Sequence, residues 1–424
     1  MITIVKADGT AEQQQIAAMR ERAAKTGAGI EQSAREIMEA VRQRGYEAVK
    51  EYSLKFDGAE PYEIPKSELQ AAAERIAPEL LGALRRSAEN IRAYQTELLC
   101  KSRQWESPMK GGTVGQVVRG LSRVGIYVPG GRAAYPSSVL MNAVPAKVAG
   151  CGEVIMVTPP TENLNDAVLA AAWVAQVDRV IAVGGVQAVA ALTFGAGFIP
   201  RVDKLVGPGN AFVAAAKRMA YGMLDIDMVA GPSEVLVIAD ETANPVYTAA
   251  DLLSQAEHDV MASAVLLTTS QTLADQVAQE MERQTGYLSR SDVILQSLRD
   301  YGAIIVCDSL EKCCDLANEI APEHLEIMTE DPRALLPKIL NAGAVFLGQN
   351  TPEPLGDYMA GPCHVLPTSG TARFFSPLSV ESFLKKMSII DFSRDALAEV
   401  KDEIIAMAES EHLTAHANSI KVRF

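Results

Sequence analysis

All five histidines of this 424-residue chain fall in its last two-fifths: His258, His324, His364, His412 and His416. The first closes the stretch Leu252-Leu253-Ser254-Gln255-Ala256-Glu257-His258-Asp259. Residues three apart on a helix share a face, with roughly 5–6 Å between Cβ atoms, so the Gln255 carboxamide and the His258 imidazole could grip one metal ion. The plainer alternative is a polar helix end. Downstream, Pro322-Glu323-His324-Leu325-Glu326 sets a carboxylate beside an imidazole. These are proton acceptors of different strength, His titrating near neutrality and Glu only when desolvated. Both reach one pocket only if the backbone bends, which places them in a loop; the alternative is a solvated turn. Gly356-Asp357-Tyr358 follows Pro354 and offers a hard oxygen ligand from a loop, or else a turn-capping carboxylate. Gly361-Pro362-Cys363-His364 comes next, and Glu411-His412-Leu413-Thr414-Ala415-His416 puts a carboxylate and two histidines near the C-terminus, where surface histidines are usually inert. Taken together, Gln255, His258, Asp357 and His416 form a nitrogen and oxygen set suited to zinc or a similar divalent ion. Glu323 and His324 would then be acid/base groups beside it.

These side chains need elements to hold them. Asn244 as N-cap and Pro245 at the first helical position start a helix whose buried stripe is Val246, Ala249, Leu252, Leu253 and Ala256. Before it, strands are expected at 114–119, 123–128, 153–157, 179–183 and 204–206, alternating with helices at 139–149, 165–176 and from Ala211. Three of those strand ends run into glycine turns: Pro129-Gly130-Gly131-Arg132, Gly184-Gly185-Val186-Gln187 and Gly207-Pro208-Gly209-Asn210. A strand entering a glycine turn and then a helix lets backbone N–H groups reach a phosphate. None of the turns is GxGxxG, so the usual dinucleotide fingerprint is missing. A second passage, strand 234–238, helix 245–258 and strand 264–268, echoes the first. It continues through helix 271–284, strand 303–307, helix 310–320 and strand 344–347. The fold class expected is therefore α/β: two related Rossmann-like parallel-sheet domains, with ligands at the carboxyl ends of strands and a cleft between the domains. Residues 1–110 read as a helical segment, with Ile30, Ala34, Ile37, Met38 and Val41 at helical spacing and Ser67 with Gln70 as a capping box. Residues 111–232 and 233–378 are the two α/β domains, and 379–424 is a small C-terminal arm.

Composition narrows the class. A net charge of −14 with no dense Lys/Arg run argues against nucleic acid or an anionic membrane as partner. No run approaches the roughly 18 apolar residues of a membrane span. The six cysteines form no CxxC pair, which disfavours a zinc ribbon or disulfide framework and suits a reducing cytoplasm.

The chain resembles the histidinol dehydrogenase family over nearly its whole length. The resemblance is carried by 123–131 (RVGIYVPGG), 135–147 (YPSSVLMNAVPAK), 207–210 (GPGN), 230–234 (AGPSE), 253–259 (LSQAEHD), 321–326 (APEHLE), Gly356-Asp357, 364–368 (HVLPT) and 413–416 (LTAH). It implies oxidation of L-histidinol to L-histidine with two NAD and a zinc ion, the last step of histidine biosynthesis. It implies zinc ligands Gln255, His258, Asp357 and His416, which with His324 also lie against the substrate, and an acid/base pair Glu323 and His324. Ser233, His364 and Glu411 match further substrate-contacting positions; Tyr127, Gln187 and Asn210 match nucleotide-contacting ones. It also implies a cytoplasmic homodimer in which the C-terminal arm lends Glu411 and His416 to the neighbour's active site. Cys363 departs from the Asn expected before His364. Apart from the resemblance, a zinc hydrolase would use similar ligands without a nicotinamide site, and a non-catalytic binding protein could do without Glu323 and His324.

Overall fold

The computed structural model describes residues 2–24, 28–130, 135–160, 164–229 and 231–424. Two six-stranded sheets dominate it. The first runs Tyr62–Ile64, Arg179–Ala182, Glu153–Thr158, Arg123–Tyr127, Lys204–Val206, Asp225–Ile226 across the sheet. The second runs Thr3–Lys6, Ala303–Val306, Ser263–Thr268, Glu234–Ala239, His324–Met328, Ala344–Leu347. Reading each domain's own strands in chain order, both sheets have the order 3-2-1-4-5, with one added edge strand beside strand 3. The faint sequence echo is thus a repeat of topology, and the order is that of the doubly wound dinucleotide-binding fold without its sixth strand. All pairings are parallel except that of the edge strand Tyr62–Ile64 with Arg179–Ala182.

The reason for this layering is visible in the strands. Glu234–Ala239 and Ser263–Thr268 are buried at every residue. Such runs need cover on both faces, which crossover helices supply. Val235 and Val237 face one core while Leu236 and Ile238 face another. In the first sheet Val154 and Met156 likewise oppose Ile155 and Val157.

The N-terminal 110 residues are not one helical segment. Thr3–Lys6 is a strand paired with Ala303–Val306, and Ile16 packs into the second domain's core. The helices Ala28–Arg44, Lys66–Arg75 and Pro78–Lys101 cover the first domain instead, through Ala34, Val41, Leu69 and Ile91. Ser67 caps nothing: the helix begins at Lys66 with Pro65 as its N-cap and no side-chain cap bond. The expected strand at 114–119 is Gly112–Gly120, but it belongs to a separate antiparallel sheet with Trp105–Met109 and Leu384–Phe392. The C-terminal arm therefore starts with a short 3-10 turn, Val380–Phe383, and then a strand. It continues as helices Arg394–Ser410 and Thr414–Lys421.

Candidate active site at the cleft between the sheets

The Pro245–Ala256 helix forms as its sequence dictates. Asn244 accepts a bond from the Val246 backbone N–H, and Ala249, Leu252, Leu253 and Ala256 are buried, although Val246 itself is exposed. Gln255 is buried in the last turn. His258 follows just past the helix end, its N–H bonded to the Gln255 carbonyl at 3.1 Å. The pair thus shares one turn without sharing one helix.

Glu323 lies in the connecting loop as expected, but His324 does not. His324 opens the buried strand His324–Met328, between Glu234–Ala239 and Ala344–Leu347. The backbone bend expected for the pair falls at Glu323, just before the strand, and turns its carboxyl onto the neighbouring strand. Glu323 Oε2 accepts the Glu234 N–H at 2.9 Å. His324 Nδ1 lies 2.9 Å from the Glu234 carbonyl and 2.8 Å from the Gln255 amide. A carbonyl oxygen only accepts, so the Nδ1 that bonds it carries the hydrogen. That leaves the lone pair on Nε2. His324 Nε2 lies 3.9 Å from Glu353 Oε1 and 4.0 Å from Asp357 Oδ1.

Asp357 likewise departs from its expected loop. It lies on the six-residue helix Glu353–Tyr358, four residues after Glu353, so both carboxylates share a face. His324, Glu353 and Asp357 each present a ligand atom within 4.8 Å of the others. Glu353 is a site residue that sequence reading missed. Its spacing from Asp357 was the available signal, hidden by Pro354 and Gly356, which read as loop. Among the described residues no Lys or Arg pairs with Glu323, Glu353 or Asp357.

Burial sets the electrostatics. It holds the Glu323 carboxyl well above the usual range, against the pull of the Glu234 N–H. It pushes Glu353 up to about 9, with neighbouring Asp357 adding to the effect. It also depresses His324, so the ring stays neutral, although Asp357 opposes the shift. His258 is exposed as a residue, yet partial loss of hydration lowers its pKa while nearby Asp357 works the other way. His364 is close enough to disfavour charge on both His258 and His324. Three buried atoms here lack a hydrogen-bond partner: His324 Nε2, His364 Nε2 and Glu353 Oε1. Such orphans cost roughly 1–3 kcal/mol each unless something binds to them. Ser233, half-buried, immediately precedes Glu234. Cys363 is buried, its thiol donating to the Met141 carbonyl at 3.2 Å, so it ties this loop to the first domain.

This cluster sits at the amino ends of the second sheet's strands, not at the carboxyl ends where sequence reading put ligands. In the first domain the residues expected to contact a nucleotide do lie at carboxyl ends of strands. Its glycine turns follow Arg179–Ala182 and Lys204–Val206, flanking the switch point between Arg123–Tyr127 and Lys204–Val206. Tyr127 is buried, and its hydroxyl accepts the Gly185 N–H at 3.0 Å. Gln187 is buried nearby, and Asn210 caps the Ala211–Ala220 helix by accepting from Phe212 and Val213. Gly131 and Arg132 of the third turn lie outside the described residues. Glu411 and His416 are exposed on the C-terminal arm and are not brought to the cluster within one chain.

A protein-family model described as histidinol dehydrogenase matches residues 20–424. The chain is 52% identical to the histidinol dehydrogenase of Clostridium acetobutylicum over 410 residues, covering 96% of this chain and 95% of that one. It is 53% identical to that of Caldanaerobacter subterraneus subsp. tengcongensis over 394 residues, covering 92% and 91%. The chain belongs to the histidinol dehydrogenase family. It is an oxidoreductase. The crystal structure of histidinol dehydrogenase from Elizabethkingia anophelis superposes with a TM-score of 0.93 at 36% identity, covering 100% of this chain and 98% of that one. A betaine aldehyde dehydrogenase from Staphylococcus aureus shares the fold alone, with a TM-score of 0.50 at 14% identity over 86% of this chain and 90% of that one.

Proposed function

We propose that this enzyme oxidises L-histidinol to L-histidine in two successive two-electron steps, closing histidine biosynthesis, with zinc and two NAD as its helpers. The observation that supports this best is the convergence of a neutral imidazole, its free Nε2, the buried Glu323 and Glu353 carboxyls and the half-buried Asp357, in a chain that also carries a doubly wound domain. The donor set suits a divalent cation: oxygen and nitrogen atoms within 4.8 Å of one another, carboxyls whose charge burial disfavours until a cation offsets it, and orphaned buried polar atoms. Gln255, His258, Asp357 and the partner's His416 would hold the zinc, while Tyr127, Gln187 and Asn210 would hold the nucleotide. When bound, zinc would fix the substrate's imidazole and amino nitrogens, and NAD would take a hydride at each step.

The chain's own residues then do the following. Ser233, His364 and the partner's Glu411 orient the amino-alcohol end; positioning of this kind supplies roughly 7–11 kcal/mol toward a barrier. His324 Nε2 takes the hydroxyl proton in the first oxidation, held in that tautomer by the Glu234 carbonyl. Glu323 takes a proton from the water that adds to the bound aldehyde; once ionised, its burial makes it a stronger base than an exposed glutamate. His324 accepts the hydrate's hydroxyl proton in the second oxidation.

Ile390, Met407 and Val422 on the arm and its sheet are 67–77% exposed in the single chain, which supports a homodimer that covers them and shares its active sites. No described helix is long and apolar enough to cross a membrane, and the six free cysteines suit the reducing cytoplasm proposed as its location.

The test is stoichiometric. Purified protein with zinc, excess NAD and limiting L-histidinol should yield about two NADH and one histidine per substrate. One NADH with accumulated aldehyde would sink the two-step reading, and none at all would leave a hydrolase or binding protein to be considered.

A further inference from the structure

Asp57 ends the Tyr46–Asp57 helix, which packs on the first domain, and nothing in the sequence marked it as functional. Its Oδ2 lies 3.1 Å from Gln187 Nε2, and the Gly184 backbone also bonds to its carboxylate. Gln187 is only 1% exposed, and its Oε1 has no hydrogen-bond partner among the described residues. An ionised carboxylate only accepts, so Asp57 must face the amide nitrogen of Gln187. The amide cannot flip without setting two acceptors against each other. Asp57 thereby dictates that the remaining acceptor of Gln187 is presented, unmet, at the Gly184-Gly185 turn. Gly185 holds φ +63°, and a Cβ there would approach Gln187 Oε1 to 2.7 Å, so the turn leaves that oxygen only the room a glycine gives. Tyr127 closes the other side, its hydroxyl taken by the Gly185 N–H.

We propose that Asp57 is a positioning residue for the cofactor: it locks Gln187 as an acceptor for a neutral donor of the bound nucleotide, a ribose hydroxyl or an amide or amine N–H. This rests on the reading of Tyr127, Gln187 and Asn210 as the nucleotide site. The role differs from that of a cofactor-contacting carboxylate, because Asp57 acts through the side chain it orients.

The experiment is a double-mutant cycle on NADH affinity, read by fluorescence titration of the zinc-loaded protein without substrate, with NAD KM and kcat measured alongside. Asp57→Asn can present either its oxygen or its amine to Gln187, so the lock is lost while the size is kept. The expected result is a roughly tenfold weaker Kd and higher KM for NAD, the upper end of what one neutral hydrogen bond contributes, with kcat at saturation within about twofold. Gln187→Leu should weaken binding similarly, and the double variant should be no worse than Gln187→Leu alone, since coupled residues do not add. If Gln187→Leu weakens NADH binding and Asp57→Asn does not, the positioning role is overturned and the nucleotide site stands. If neither changes binding, both fall. Should Asp57→Asn fold poorly, Asp57→Ala, which leaves room for water, gives the same comparison.

Discussion

At the scale of single residues, two carboxyl groups carry the sharpest expectations. Glu323→Gln keeps the bond geometry to the Glu234 N–H but cannot accept a proton from water. Oxidation of added histidinal should fall by about 10²–10⁴, the range for loss of a general base, while the first hydride transfer from histidinol slows far less. Rapid-quench assays of the two half-reactions check this, and equal slowing would remove the division of labour between Glu323 and His324. Asp251, on the helix that carries Gln255, bears on stability. Burial pushes it up to about 6 from an ordinary 3.8, beside a Glu326 carboxyl that is raised as well. The native state therefore holds a proton that the unfolded chain releases. That contribution is full below pH 3.8 and is lost as pH rises through about 6. The melting temperature should fall between pH 4.5 and 7.5, and Asp251→Asn, which bonds Glu326 without needing the proton, should flatten that slope. An unchanged slope would mean the pair does not share a proton. Much of this residue-level pattern was legible: Glu323, His324, Gln255 and Asp357 do gather. Glu353 and Asp57 were not, because a carboxylate acquires its role here from burial against partners 29 and 130 residues away, and no local spacing encodes that.

At the scale of elements, periodicity located most strands and helices, because buried parallel strands and their covering helices advertise themselves as apolar runs. Partners were harder to read. Thr3–Lys6 is four residues long and mostly exposed, so nothing local says that it edges the second sheet. The Pro322–Glu326 stretch looked like a loop because its acidic residues mask a strand whose polar side chains are buried against one another. The Gly207 turn shows how one element holds another. Gly207 has φ +105°, and a Cβ there would meet the Tyr127 carbonyl at 2.2 Å. Its N–H donates to Asp227 at 2.8 Å, its carbonyl accepts from Lys217 Nζ at 2.8 Å, and Lys217 and Asp227 pair directly in the core. The pair is 3% and 1% exposed, so neither charge has water to fall back on. Lys217→Met should cost about 3–5 kcal/mol, because it leaves the Asp227 charge buried alone. Urea unfolding measures it. Lys217→Met with Asp227→Leu should recover part of the loss in stability but not the NAD affinity, since the turn that presents Asn210 stays unclamped. Recovery of both would show that the ion pair does not shape the turn.

At the scale of the whole molecule, the decisive fact is what one chain leaves unfinished. Gln255, His324, Glu353 and Asp357 converge, whereas Glu411 and His416 stand exposed on an arm whose Ile390, Met407 and Val422 have no cover. Exposed apolar side chains of that kind suit a further surface, and under the proposed homodimer a two-fold axis would supply the same surface twice. If the arm completes the neighbour's site, the two halves of a site come from different chains. A His258→Ala homodimer and a His416→Ala homodimer should each lack zinc and activity. Unfolding and refolding them together should form heterodimers in which both lesions fall in one site and the other site is whole. Random reassortment makes half the dimers mixed, each with one intact site, so activity should return to about a quarter of wild type. Bound zinc should return in the same proportion, which separates site assembly from a general effect on folding. If each chain instead completed its own site, every chain in the mixture would carry a lesion and no activity could return. Recovery thus reads directly whether the arm reaches across, and a mixture that stays inactive despite proven heterodimers would confine the site to one chain and require a ligand other than His416.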